Sequence, residues 1–328
     1  MAECGMIGRR HILSALPTLL AAARPGPTLA NTAFAAFLAD VRAEAIGSGI
    51  AEATLDRAFA GLRPNAKVLE LDSHPPETTQ SWERYRATRV SDARVAMGRQ
   101  AMQANGNALA VIGRRYGVDP AIIVAIWGLE TNYGSYTGGF SVIEALATLA
   151  ADGRRDGYFR RELINALRIL DAGDIALPRM LGSYAGAMGQ PQFMPSSYLE
   201  YAVSFDGSSR RDIWDNRNDA LASIANYLSR SGWRTGEPWG QMVRVPAGFS
   251  VGRDSRENRH PLADWMRLGI TRPDGTALAG PSVTGAVVMP DGMDGEAYVT
   301  YGNFDVIRLY NHSDLYALSV GILADRVR

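Results

Sequence analysis

Only one cysteine, Cys4, occurs in 328 residues, which excludes an intrachain disulfide framework and a cysteine-ligated zinc site. Histidine is nearly as scarce. His11, His74, His260 and His312 share no metal-ligand spacing, so each reads as a surface or loop residue. An excess of either charge is missing as well: Lys and Arg total 34 and Asp and Glu total 34. That balance encodes no long-range attraction to nucleic acid, and a neutral polymer such as a glycan fits it at least as well. With 46% hydrophobic, 21% charged and 9% aromatic residues, disorder and low-complexity scaffolds are excluded. The length allows one large domain or two ordinary ones.

A membrane-spanning run is also absent. The apolar stretch Ile12 to Ala23 is too short to cross a bilayer, but after Arg9-Arg10 and before Thr28-Leu29-Ala30 it fits a signal-peptide core. The paired arginines point to twin-arginine export. Residues 1–30 therefore read as an export signal and 31–328 as the mature protein. The expected place is the periplasm of a Gram-negative bacterium, soluble or loosely membrane-associated. Met180 to Leu199 carries no charge, but its glycines and prolines forbid a continuous helix in lipid.

Helical periodicity dominates from Asn31. Phe34, Phe37, Leu38 and Val41 share a face that ends at Gly47-Ser48-Gly49, and Leu55, Phe59 and Leu62 mark a second helix. Residues 63–73 read as a loop with a short apolar piece, and 84–105 as one charged helix closed by Gly106. Leu163, Ala166, Leu167 and Leu170 repeat the helical spacing, as do Leu221, Ile224, Ala225 and Leu228. After Gly232 the character changes. Short β-branched segments at 241–245, 285–289 and 297–300 alternate with turn residues such as Pro273-Asp274-Gly275 and Asp291-Gly292. Residues 314–327 return to helix. The expected fold class is mainly α, with a small strand-rich part at about 240–310 inserted before the C-terminal helix.

Two segments carry chemistry. Asp119-Pro120 is a helix start, with Asp as N-cap and Pro at the first helical position. The residues that follow are apolar on every face until Glu130, so the helix is buried. Position alone leaves two readings of Glu130. Either the helix surfaces there and water solvates the carboxylate, or burial raises its pKa toward that of a general acid. The second segment, Gly182 to Tyr198, combines glycines that admit close backbone approach with Ser, Gln and Tyr donors and Phe and Met faces. Neutral hydrogen-bonding groups beside apolar faces suit an N-acetylated sugar, not a phosphate.

Glu-Thr-Asn-Tyr-Gly at 130–134 and Gly-Ala-Met-Gly-Gln-Pro-Gln-Phe-Met-Pro-Ser-Ser at 186–197 resemble the B-type lytic murein transglycosylases, lysozyme-like enzymes that cleave the glycan of peptidoglycan. The resemblance runs from about Phe34 to near the C-terminus. It implies a lysozyme-like helical catalytic domain, a monomer needing no cofactor, with peptidoglycan strands as its partner and no nucleic acid. It also implies one Glu that is acid and then base, producing a 1,6-anhydro end without water. By resemblance Glu130 takes that role, Ser183 hydrogen-bonds near it, and Gln192 binds sugar. Tyr85, Tyr227, Tyr310, Asn311 and Tyr316 match cleft positions, and Arg154 and Arg155 match a pair that meets the acidic part of the substrate. Some members carry an Asp-rich calcium loop after the second motif. Here residues 204–215 place serines and arginines among the acids, so no metal is expected. A muramidase that uses water, or a peptidoglycan-binding protein without turnover, are the alternatives.

Overall fold

The computed structural model describes residues 27–73, 80–249, 257–280, 282–292 and 295–328. Most of the export signal read at 1–30, with Cys4, His11 and Arg9-Arg10, lies outside the described residues, as does His74. Thr28-Leu29-Ala30 falls within the first helix, α1 (Pro27–Gly47).

Helices α2 (Glu52–Phe59) and α3 (Ala66–Ser73) follow. The second of these corrects the loop expected at 63–73. Asn65 supplies the cap, its Oδ1 accepting from the amides of Lys67 at 2.9 Å and Val68 at 3.3 Å, and Lys67 pairs with Glu70 one turn on. The single helix expected at 84–105 is two, α4 (Trp82–Arg89) and α5 (Asp92–Ala104). Ser91 interrupts them because its hydroxyl caps Arg94 N. Gly106 does not close the segment but opens α6 (Gly106–Tyr116).

Helix α7 (Pro120–Thr131) begins as the sequence indicates, with Asp119 Oδ1 accepting from Ala121 N at 2.8 Å. After it come a two-residue strand β1 (Phe140–Ser141), α8 (Val142–Asp152) and α9 (Asp156–Asp171). Strand β2 (Leu181–Gly182) pairs antiparallel with β1, Phe140 opposite Gly182. Then come α10 (Pro195–Tyr201) and α11 (Arg217–Arg230).

The strand-rich part is a four-stranded antiparallel sheet of order β3-β6-β5-β4, made of β3 (Gly240–Val243), β4 (Arg259–Pro261), β5 (Thr284–Val288) and β6 (Ala297–Thr300), with α12 (Leu262–Arg267) after β4. Val243 sits opposite Ala297, and Val288 opposite Tyr298. Three strands match the expected segments. Strand β4 is not legible in the sequence because it is short, polar and ends in Pro261, which only an edge position tolerates. Helices α13 (Gly302–Tyr310) and α14 (Asp314–Val327) complete the chain.

Burial divides the interior into three clusters. The first surrounds α7 with side chains from α4, α5, α6, α11, α13 and α14. The second joins α1, α2 and α3 to α8, α9 and α10, and the third lies under the sheet against α12. Tyr227 and Tyr310 pack against both the first and the second. They therefore stand at the seam between the two helical cores.

The Asp119 cap is a direct test of how α7 is seated, because its other oxygen accepts from Arg328 at 2.6 Å. Asp119→Ala is expected to lower the unfolding free energy by about 1 kcal/mol. Asp119→Asn keeps a capping oxygen and loses only a half-exposed ion pair, so its urea midpoint should fall clearly less.

Candidate active site

Every residue of α7 from Ala121 to Leu129 is buried, and Glu130 is the first to reach partial exposure. Asn132 then ends the helix in the left-handed region, with φ 49°. The end is fastened on two sides. The Thr131 hydroxyl donates to Gln190 O at 2.9 Å, and Trp127 Nε1 donates to Gln190 Oε1 at 3.1 Å. Gln190 in turn donates through Nε2 to Trp214 O at 3.0 Å. Tyr133 lies edge-on to Trp127 and donates its hydroxyl to Arg94 O at 2.8 Å, reaching α5. With Trp127, Thr131 and Tyr133 all held, Glu130 has a fixed origin.

Glu130 lines a small cavity of about 50 Å³ with Tyr85, Arg89, Leu129, Asn311 and Tyr316. Four separately predicted residues (Tyr85, Glu130, Asn311 and Tyr316) therefore meet, although α4, α7, the α13–α14 turn and α14 supply them. The Tyr316 hydroxyl donates to Glu130 Oε1 at 2.5 Å. Burial first, and then the Glu130 charge, raise the Tyr316 phenol well above its usual value. The same causes act on Tyr310. Both phenols thus stay protonated near neutral pH and serve as donors.

The glycine-rich segment packs against the end of α7 and the loop that follows it. Ser183 Oγ accepts from Ala185 N at 3.3 Å and from Ala187 N at 3.0 Å. Accepting two amides leaves that hydroxyl its proton to donate. The loop that follows Glu130 lies directly on this segment. At Gly138, with φ +98°, a Cβ would stand 2.1 Å from Gly182 O and 2.7 Å from Ser183 N, so only glycine permits the approach. Gln192, itself at φ 52°, donates through Nε2 to Thr137 O at 3.0 Å and Gly189 O at 2.9 Å. Its amide hydrogens thus hold the same two loops together.

Tyr227 and Tyr310 stack with Phe193 in an aromatic cluster whose ring centroids lie 4.8 to 5.8 Å apart. Tyr310 donates to Pro191 O and Tyr227 to Leu309 O, both at 2.6 Å, so α13 is bonded to the glycine-rich segment. Burial pushes the Tyr227 phenol up to about 12. Arg154 and Arg155 lie apart from the residues lining the Glu130 cavity, at the α8–α9 turn. Both pair with Asp72 of α3, and Arg154 also with Asp152.

Arg89 and Gln190 are site residues that the sequence reading misses. Arg89 follows Tyr85 by four residues, and its guanidinium lies 5.4 Å from the centre of that ring. Its signal is the spacing of Trp82, Tyr85, Arg86 and Arg89 along one helical face. Gln190 offers no local signal, since its partners are 59 and 63 residues away.

Other carboxylates near these elements have structural partners. Glu162 caps α10 by accepting from Ser196 N at 2.8 Å and Ser196 Oγ at 2.6 Å, and Glu144 accepts from Asn65. In the 204–215 loop, Asp219 accepts from Phe205 N at 2.8 Å and Asp212 N at 2.9 Å. Asp206 accepts from Ser204 Oγ and Ser208 N, and Asp212 from Trp214 N and Asp215 N. Arg210 pairs with Asp212, and Arg211 with Asp174. Ser204 Oγ also lies 3.1 Å from Ser208 Oγ, and Ser208 Oγ donates to Arg210 O at 3.2 Å, so the oxygens of this loop are bonded to one another and to backbone amides. Among the described residues no group of three metal-binding side chains forms; His260 bonds Asn258, and His312 is exposed between α13 and α14.

With serines and arginines among the acids of that loop, calcium or EDTA at millimolar concentration is expected to leave the thermal midpoint unchanged. Asp219→Ala should lower it, because two amides lose their acceptor at about 1–3 kcal/mol each; differential scanning fluorimetry reads both.

Comparison with known proteins gives the family. The family profile of the transglycosylase SLT domain matches residues 33–325. The chain is 34% identical over 260 residues to the membrane-bound lytic murein transglycosylase B of Escherichia coli K12, covering 77% of this chain and 69% of that one. Its fold superposes on SltB3 of Pseudomonas aeruginosa in complex with NAG-NAM-pentapeptide, with TM-score 0.86, 42% identity and coverage of 89% and 79%. It also superposes on the E. coli lytic transglycosylase Slt35 in complex with calcium, with TM-score 0.76, 30% identity and coverage of 96% and 98%. The chain belongs to the transglycosylase SLT family and is a lytic transglycosylase acting on peptidoglycan.

Proposed function

We propose that Glu130 cleaves the β-1,4 bond between N-acetylmuramic acid and N-acetylglucosamine as the single acid and base. What carries this reading is that Glu130 is the one carboxylate among the six residues lining its cavity. A two-carboxylate glycosidase places its second acid within about 5–10 Å across the scissile bond. Here a guanidinium, an amide and two phenols share the cavity instead.

The steps follow from what each group can do. Glu130 carries the proton to be delivered, while its Oε1 accepts from Tyr316. Its transfer to the glycosidic oxygen releases the leaving sugar with that oxygen as a hydroxyl. The muramic acid's own acetamido group stabilises the cation-like carbon left behind. Glu130, now a carboxylate, takes the proton of the C6 hydroxyl, and the C6 oxygen bonds to the anomeric carbon to close the 1,6-anhydro ring. Tyr316 is matched to the base stage, because a phenol kept protonated stabilises the carboxylate form.

The neutral glycine-rich segment supports the same substrate. Ser183 offers a hydroxyl donor, Tyr227 and Tyr310 offer ring faces, and Gln192 holds the segment in place; sugars are bound by such groups. Arg154 and Arg155 lie beyond the cavity, exposed at a turn, where they suit the acidic stem peptide. The related SltB3 forms a complex with a NAG-NAM-pentapeptide, a glycan that carries such a peptide. We place the protein in the periplasm on the export signal read in residues 1–30. Among the described residues no helix is long and apolar enough to cross a membrane.

Mass spectrometry of fragments released from purified sacculi tests the reaction. Muropeptides ending in anhydro-muramic acid, lighter by one water than reducing-end products, are expected from the wild type. Reducing-end products would make the enzyme a muramidase. Glu130→Gln should bind sacculi normally and release nothing; product release at the wild-type rate would remove Glu130 from the mechanism. Tyr316→Phe is expected to cut kcat about 10- to 100-fold. Because the carboxylate loses a donor, the acid form persists further and the alkaline limb of the pH–rate profile should move to higher pH.

A further inference from the structure

The strand-rich part is more than an appendage to the helical domain. Two carboxylates flanking the turn between β5 and β6 reach α4, more than two hundred residues earlier in the chain. Asp291 Oδ1 accepts from Trp82 N at 2.8 Å, and Asp291 Oδ2 from Glu83 N at 3.3 Å. Ser81 Oγ accepts from the next amide, Arg84 N, at 3.4 Å. The first turn of α4 is thus capped largely from outside its own segment. Glu296 holds the side chains of the same helix. Its Oε2 accepts from Trp82 Nε1 at 2.8 Å and from the Tyr298 hydroxyl at 2.6 Å. Its other oxygen pairs with Arg86. Trp82 is 2% exposed and lies edge-on to Tyr298 at 6.2 Å.

Trp82, Tyr85, Arg86 and Arg89 occupy one face of α4 at i, i+3, i+4 and i+7. The sheet grips Trp82 and Arg86, while Tyr85 and Arg89 line the Glu130 cavity. The far end of the helix is held differently, Val90 O accepting from Arg326 at 3.1 Å and Arg89 O from Arg94 at 2.8 Å. Two anchors on one short rod fix its tilt. Loosening the first would let Tyr85 and Arg89 swing about the second.

We infer that Asp291 and Glu296 are positioning residues for the transglycosylase reaction, setting through α4 the place of Tyr85 and Arg89 in the Glu130 cavity. The inference rests on the assignment of Glu130 as acid and base. Charged and titratable groups reach that carboxylate from three further elements: Arg89 and Tyr85 from α4, Tyr310 from α13 and Tyr316 from α14. Moving Arg89 away removes a positive charge from this set. Glu130 would then hold its proton to higher pH.

The test uses the mature chain and a soluble, uncross-linked glycan strand as substrate. Glu296→Gln and Asp291→Asn keep side-chain shape and remove the charge. Each is expected to lower kcat about tenfold, as a displacement of under 1 Å can. KM should change far less, and the alkaline limb of the pH profile should shift upward. A double-mutant cycle asks whether Glu296 acts through α4. In an Arg89→Ala, Tyr85→Phe background, Glu296→Gln should cost almost nothing further. Additive losses with an unmoved pH profile would overturn the inference, as would wild-type kcat in both single variants. So would loss of the folded state in both, which assigns the carboxylates to stability alone. Glu130→Gln, run in parallel, separates the two claims: if it retains turnover the acid/base reading fails, whatever the cycle shows.

Discussion

A helix that is apolar on every side has to be enclosed, and most of this structure is what encloses α7. Six other helices contribute to the cluster around it. Burying the side chains from Ile122 to Trp127 gains about 1.5–3 kcal/mol for each large one, so the rest of the domain is arranged to keep water off them. The consequence for chemistry comes at the end of the helix. Glu130 has to emerge where the enclosure stops, at a place shared by α4, α13 and α14. A carboxylate there is rooted in a fully buried helix and lines a cavity.

The glycine-rich segment beside the end of α7 is built on another rule. It carries no charge from Met180 to Leu199, and its backbone makes little regular structure. Side chains and turns hold it instead: Gln190 to Trp127 and Trp214, Gln192 to Thr137, Tyr310 to Pro191. Neutral donors aimed at carbonyls make a rigid surface without ionic attraction, which is what a surface needs if it must bind sugars and let them go.

Some of this is legible before the fold. The start of α7 can be read because Asp and Pro act on their own neighbours, and the stripes of α9 and α11 because periodicity is a local property of one helix. Residues 314–327 are readable for the same reason. The errors differ in origin. Asn65 does not stand out as a cap, nor Ser91 as a helix interruption, although both act within three residues. Strand β4 lacks the alternation that marks a strand. Arg89 is lost because its partners in the cavity come from α7, Asn311 and α14, far along the chain.

Helical periodicity and the two motifs determined the class of molecule: mainly helical, resembling the lytic murein transglycosylases, with one carboxylate at the end of a buried helix. Those properties are carried by residues adjacent in the chain, where the chemistry of neighbours decides. Only the tertiary structure brought Tyr316 onto Glu130 from 186 residues away and placed Tyr85, Arg89 and Asn311 around it. It alone tied α4 to the sheet through Asp291 and Glu296. Contacts between distant segments depend on how apolar faces pack in three dimensions, and no local pattern along the chain records that packing.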